Sequence, residues 1–293
     1  MELANAEPRT PKKKLTLIGI SRLAMNVKGC GLGLRSEFLL ELDEHTFRPD
    51  WWEVTPENWL SMPTIFKEAF EQEVFSRPTV AHGLALSIGS AEPLNKKFVR
   101  QIKRFLDYYH IADYSEHLSF TSLGGKHTYE LLPLPMTANM VRIVGNKIEQ
   151  VQEILKREII LENATYYFVP KSTMSEVDFI NEIMKQRGVK LLLDINNIFV
   201  NASNHGFCAK DFIDKIDKDN VAYIHIAGHY DDKELGAKID SHGMPVCDGV
   251  WELLEYVCEQ IKVPVLLERD NHIPPLAVLE QEYLAMKKIA LQP

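Results

Sequence analysis

The chain has 293 residues, of which 45% are apolar, 25% charged and 9% aromatic. That balance is globular and excludes wholesale disorder. The 33 Lys and Arg against 41 Asp and Glu leave a net charge of −8, which argues against a nucleic-acid partner. Four cysteines, at positions 30, 208, 247 and 258, form no C-x-x-C pair, so zinc-ribbon and thioredoxin-like motifs are excluded.

From the N-terminus, residues 1–14 (MELANAEPRTPKKK) are polar with two prolines and read as a flexible arm ahead of a single domain, residues 15–293. The apolar run from Leu15 to Ile20 is too short for a signal peptide, and no run reaches the length of a membrane span. The expectation is a cytoplasmic protein with no membrane partner. Eight short β-like runs follow. The first four are GCGLGLR ending at Arg35, DWWEVTP ending at Pro56, TVAHGLALSI ending at Ile88 and IADYSEHLSF ending at Phe120. Then come REIILENATYY, VKLLLDINNIFV, VAYIHIAGH and VPVLLER. Helical patterns lie between them at Met62–Phe75, Asn95–Tyr109, Thr137–Lys156, Ser175–Arg187 and Gly249–Gln260. The spacing from Arg35 to Glu268 averages about 33 residues per unit, the size expected of a (β/α)8 TIM barrel. An open doubly wound sheet is less favoured, because no G-x-G-x-x-G follows the first run.

Each run starts apolar, and most end in a metal-ligand type. His82 follows PTVA, Glu116 and His117 follow IADYS, Glu162 and Asn163 follow EIIL, Asp194 follows KLLL, His225 follows AYI, and Glu268 follows PVLL. Barrel enzymes work at the C-terminal ends of their strands, so these side chains would converge on one mouth. Two loop segments join the same rim: Asn196-Asn197 with His205, and Asp240-x-His242. A single His or acid at a strand end is more often a packed or solvated residue than a ligand. Six of eight strand ends carrying one is harder to assign to packing. Glu116, Glu162, Asp194, Asp240 and Glu268 would crowd up to five carboxylates together, with Arg35 and Arg269 the arginines near these ends. Two or three divalent cations would neutralise the set, and imidazole with carboxylate but no thiolate fits Zn, Mn or Fe. His45, His110 and His272 fall outside the pattern and read as surface; His127 is a rim candidate. Trp51 and Trp52 read as packing, one of them facing outward to the helices.

The strings GLGLR, WWEVTPENW, AHGLALSIGS, SEHLSF, ELLPLP, ILENATYY, LLLDINNIFVNASNHG, HIAGH and IDSHGMPV resemble the multinuclear non-haem iron-dependent oxidative enzymes, long known as domain of unknown function 692. The resemblance runs from about Gly31 to Glu268. It implies a TIM barrel holding two or three irons in mixed Fe(II)/Fe(III) states. It also implies use of dioxygen on cysteine-containing ribosomal peptides, usually with a small partner protein that presents the peptide. A wider resemblance, to the xylose-isomerase-like barrels that include trinuclear zinc endonucleases, implies a ligand order of His82, a fourth-strand residue, Glu162, Asp194, Asn197, His225, Asp240, His242 and Glu268. The endonucleases carry His at the fourth strand and at the position of Asn197. Adjacent strand residues face opposite ways, so Glu116 and His117 cannot both enter the pocket. Glu116 is favoured as a carboxylate able to bridge two ions, leaving His117 for packing or support. Asn197 would leave a position open for substrate or dioxygen. Asp240 is the candidate to move protons, or else a plain ligand, and Glu57, Asn163, His205 and His229 are candidates to support ligands or meet substrate. Competing expectations are a Zn or Mn hydrolase such as a phosphodiesterase, a sugar isomerase on the same scaffold, and a non-catalytic barrel that binds a partner.

Overall fold

The computed structural model describes residues 25–292 apart from Arg187; the N-terminal arm lies outside the described residues. Eight parallel strands close into a barrel in the order β1, β12, β9, β8, β7, β4, β3, β2. They are β1 (Cys30–Gly33), β2 (Trp51–Val54), β3 (Thr79–Gly83), β4 (Tyr114–His117), β7 (Ile159–Glu162), β8 (Val189–Asp194), β9 (Val221–Ile226) and β12 (Val265–Leu267). Each lies inside one of the eight β-like runs. The hairpins β5 (Phe120–Leu123) with β6 (Lys126–Leu132), and β10 (His229–Asp232) with β11 (Ala237–Asp240), rise from the loops after β4 and β9.

The main helices lie where the apolar periodicity predicts them. They are α3 (Thr64–Ser76), α4 (Lys96–Tyr108), α5 (Ala138–Leu155), α6 (Glu176–Met184) and α9 (Asp248–Cys258); the single turns α1 (Ser36–Leu39) and α2 (Pro56–Trp59) lie outside the predicted patterns. Asn95, Thr137 and Ser175 cap α4, α5 and α6 by accepting from the amides of Phe98, Met140 and Asp178, groups that a helix start leaves unpaired. Three longer helices also lie outside them: α7 (Ile195–His205), α8 (Ala209–Lys215) and α10 (Leu276–Ala290). The INNIFV stretch reads as strand because of its β-branched residues, yet it turns helical at once. Asp194 ends β8 and also caps α7, its Oδ1 accepting from the Asn197 amide at 2.6 Å. Among the described residues no helix is long and apolar enough to cross a membrane.

The barrel interior has a floor and a mouth. Trp51, Val80, Ile160, Leu192, Ala222, Tyr223 and Leu266 pack into one buried cluster separate from the larger core between strands and helices. Trp51 belongs to that floor and Trp52 to the helix-facing core, as strand alternation requires. Gly31 makes room for the indole: a Cβ there would lie 2.5 Å from the Trp51 ring.

Candidate metal centre

Two residues beyond six of these floor residues, on the same face of the strand, stands a polar side chain. Trp51 leads to Glu53, Val80 to His82, Ile160 to Glu162, Leu192 to Asp194, Tyr223 to His225 and Leu266 to Glu268, all of them buried. On β4 the inward pair is Ser115 and His117, not Tyr114 and Glu116. The side chains form three groups whose ligand atoms lie within 4.8 Å of one another: His82, His117 and Glu162; Glu162, Asp194, His225 and Glu268; His242, Glu268 and Asp270. Glu162 is common to the first two groups and Glu268 to the last two.

The fourth-strand expectation is therefore reversed. His117 Nε2 sits 3.3 Å from both His82 Nε2 and Glu162 Oε2. Glu116 turns away, and its oxygens accept from the amides of Leu86 at 2.7 Å and His117 at 3.0 Å and from the Tyr114 hydroxyl. Burial, with the Glu57 carboxyl as a close neighbour, pushes Glu116 up to about 8. Glu57 accepts from the amides of Leu84 and Ala85, so the two acids together pin the loop after β3.

Asn197 is also corrected. Its NH2 group donates to Glu162 Oε1 at 3.2 Å and to the Asn163 carbonyl, while its oxygen accepts from Thr165. It presents hydrogens, not a lone pair, and so steadies Glu162. Asn163 exchanges hydrogen bonds with the Asp194 backbone and ties the end of β7 to that of β8. His229 bonds to Asn196 at 2.8 Å, and Asn196 donates to Asp240 at 2.8 Å, forming a short chain that aims Asp240 at His242. His205 stacks on Tyr166 and bonds to its carbonyl, away from the clustered ligands. Arg35 pairs with Asp270 at 2.5 Å and lies 3.7 Å from Glu268, whereas Arg269 turns to Glu282. His45, His110 and His272 are exposed, and His127 lines the mouth.

Sequence reasoning passed over Glu53. It accepts from the Tyr223 hydroxyl at 2.9 Å and stands 3.0 Å from His225 Nε2. The available signal was its place two residues after Trp51. Below it, Tyr223, Ser115 and His82 form a hydrogen-bonded chain, with Ser115 Oγ 2.6 Å from the Tyr223 hydroxyl and 2.8 Å from His82 Nδ1.

The electrostatics suit cations. His117 Nδ1 faces the Gly83 carbonyl, which only accepts, so Nδ1 carries the proton and Nε2 keeps a lone pair toward the cluster. Burial opposes a charge on His82, but Glu162 and the other carboxylates outweigh it and raise the imidazole to about 9. The same contest leaves His225 and His242 well above the usual imidazole range. Burial, with the neighbouring His82 imidazole adding to it, carries His117 below it. Burial lifts Asp194 well above the carboxylate range, whereas His225 and His242 overcome burial at Glu268 and hold it well below.

Three buried atoms, Glu162 Oε2, Asp194 Oδ2 and His242 Nε2, have no hydrogen-bond partner among the described residues. Glu162 Oε2 lies 3.1 Å from His82 Nε2, and His242 Nε2 2.8 Å from Asp240 Oδ1, but off the hydrogen-bonding direction. Buried polar atoms left unpaired are costly, whereas neighbouring ligands at ~2.1 Å from one ion stand about 3.0 Å apart at a right angle and about 3.4 Å apart in a tetrahedron. The residues thus fit a multinuclear metal centre. Above it a cavity of about 650 Å³ opens between Glu57, His117, His127, Asn197, Asp240, His242, Glu268 and the β5–β6 hairpin.

A closed eight-stranded parallel barrel of this kind is a TIM barrel. The structure resembles a xylose isomerase-like TIM barrel protein from Mycobacterium smegmatis in complex with magnesium (TM-score 0.55, 12% identity, covering 87% of each chain). It also resembles a D-psicose 3-epimerase solved in the presence of D-fructose (TM-score 0.53, 11% identity, covering 89% of this chain and 95% of that one). Within that class the relationship is sharper. The sequence profile described as RiPP precursor modification enzyme MbnB/TglH/ChrH matches residues 29–291. A UPF0276 protein of Shewanella loihica is 46% identical over 255 residues, 86% of this chain and 91% of that protein. The chain belongs to the MbnB/TglH/ChrH family, whose members modify precursors of ribosomally made peptides.

Proposed function

We propose that the protein is an iron-dependent oxidase that uses dioxygen to modify cysteine in a ribosomally made peptide, with a small partner protein presenting the substrate. The observation that carries this reading is the set of buried polar atoms without a hydrogen-bond partner, Glu162 Oε2, Asp194 Oδ2 and His242 Nε2, at the barrel mouth. His82, His117 and Glu162 would hold one ion, and Asp194, His225, His242, Glu268 and Asp270 the others. When bound, iron supplies one-electron chemistry toward dioxygen and a Lewis acid for a thiolate, the ligand type the protein itself omits.

The chain's own residues prepare the site for that substrate. Ser115 and the Gly83 carbonyl fix the rings of His82 and His117. Arg35 offsets part of the negative charge of Asp270 and Glu268. Asp240, held by Asn196 at the open side, takes the proton that a substrate thiol must lose. The walls of the cavity limit water around the reacting sulfur.

The test is metal content by mass spectrometry, with Mössbauer spectroscopy, on protein purified without oxygen or added metal. Two or three irons per chain, part ferrous and part ferric, are expected, with oxygen uptake when a cysteine peptide is added. Stoichiometric zinc or manganese that persists after growth in iron-rich medium would overturn the reading in favour of hydrolysis or isomerisation.

A further inference from the structure

A second cavity, about 500 Å³, opens beside the metal centre and meets the first at Leu84, Glu268, Asp270 and Asn271. It is built between the turn after β1, which supplies Leu34 and Arg35, and the segment from β2 to α3, which supplies Trp59, Met62, Pro63 and Phe66. Its composition changes along its length. The part shared with the ligands is polar, with Arg35, Glu268 and Asp270; Trp59, Met62 and Phe66 supply indole, thioether and phenyl walls, with Glu37 and Thr55 beside them. Gly33 leaves room for the Arg35 guanidinium in this wall, because a Cβ there would lie 2.7 Å from it and push it aside. Asn58 stands at the edge, exposed, with no side-chain hydrogen bond among the described residues.

We infer that this second cavity is a specificity pocket that takes an apolar side chain of the substrate peptide, close in sequence to the residue processed at the metal centre. The inference rests on the peptide-modifying function proposed above and goes beyond it by naming what flanks the reacting residue. Two cavities that share four lining residues form one trough across the mouth, and an extended chain fits a trough better than a compact metabolite does. The backbone of such a peptide crosses the polar stretch near Asn58, Arg35 and Asp270, where it finds hydrogen-bonding groups. A neighbouring aliphatic or aromatic side chain then turns into the Trp59, Met62 and Phe66 end and leaves water. A charged side chain there would lose its hydration without a partner. The volume lies within the ~300–1,000 Å³ usual for pockets that recognise a defined group.

The experiment uses the full-length, iron-loaded protein and capped, dye-labelled heptapeptides with a central cysteine. One position on either side of the cysteine is varied through Leu, Phe, Gly and Asp. Binding is read by fluorescence anisotropy and modification by mass shift. Met62 and Leu84 are only partly buried or exposed, so Met62→Glu and Leu84→Asp charge the two walls without emptying the core, and Met62→Leu keeps the wall apolar. Thermal melts confirm folding. At one flanking position, Leu or Phe should bind at least about tenfold more tightly than Asp in the wild type and in Met62→Leu. That preference should vanish in Met62→Glu and Leu84→Asp.

Peptides that bind and are modified with no flanking preference would overturn the pocket and leave the proposed function standing. So would a preference unchanged by both wall variants, the result expected if a partner protein fills the groove instead. Failure of every cysteine peptide to bind would overturn the pocket, whereas peptides that bind with the flanking preference but are never modified, even with the partner protein added, would overturn the function and leave the pocket standing.

Discussion

The two sides of the metal centre are built from similar ligands and differ in what surrounds them. On the side of β3, β4 and β7, His82 and His117 share one carboxylate, Glu162, and their outer nitrogens rest on a hydroxyl and a carbonyl. On the side of β9 and β12, His225 and His242 are ringed by Glu53, Glu268, Asp240 and Asp270. The first side is lean in charge and the second rich. Without metal, the rich side balances its carboxylates by keeping protons on imidazoles, so an ion arriving there must displace more of them.

Glu162 joins the two sides, so Glu162→Ala should have the largest effect. Metal content at both sides should fall by more than the roughly 10–100-fold typical of losing a supporting partner, as read by mass spectrometry. Loss confined to one side would show that Glu162 is not shared.

The next contrast is within β4. His117→Ala should remove the ion of the lean side and spare the other. Glu116→Ala should keep the full metal count yet cost about 1–3 kcal/mol of stability, because the buried Leu86 and His117 amides lose their acceptor. Metal analysis and denaturant melts on the two variants separate the roles. On the rich side, Glu53→Gln should weaken metal binding by about 10–100-fold, measured by competition with a chelator, without touching the lean side.

The two sides also differ in their pH response. His82, raised to about 9, is the protonated imidazole of the lean side, since His117 is shifted downward. The rich side has two imidazoles shifted well upward. Below pH ~9 the apparent affinity of the lean side should fall about tenfold per pH unit, and on the rich side, where two imidazoles hold protons, acidification should weaken binding more steeply. Acidification followed by Mössbauer spectroscopy should show the rich side emptying first; simultaneous loss would refute the distinction.

The same contrast explains what the sequence made legible. The eight strands and most strand-end ligands follow from apolar runs that stop at a charged residue, and the structure keeps that order. The rule that locates the inner face is an apolar residue two positions earlier. On β4 that residue is Ser115, a polar member of the Tyr223 network, while Tyr114 lies on the face of Glu116; apolar patterning therefore pointed to the wrong neighbour. Glu53 was hidden for a different reason. The run continues through Val54 and Thr55, and the acid is not its last residue. Asn197 looked like an open ligand position because spacing says nothing about which end of an amide faces inward. The hairpins β5–β6 and β10–β11 were invisible as well, since each follows a barrel strand within three residues and merges with it in the linear pattern.

The floor of Trp51, Tyr223 and their neighbours has a consequence for traffic. Packed side chains close the barrel below the ligands, so nothing passes along its axis. A long chain worked on here cannot be threaded through and released on the far side. It must dip to the centre and withdraw by the way it came, so each modified position requires a separate visit. Under the proposed function, dioxygen, the thiol and the finished product would share one doorway, and the order in which they use it would become part of the catalytic cycle.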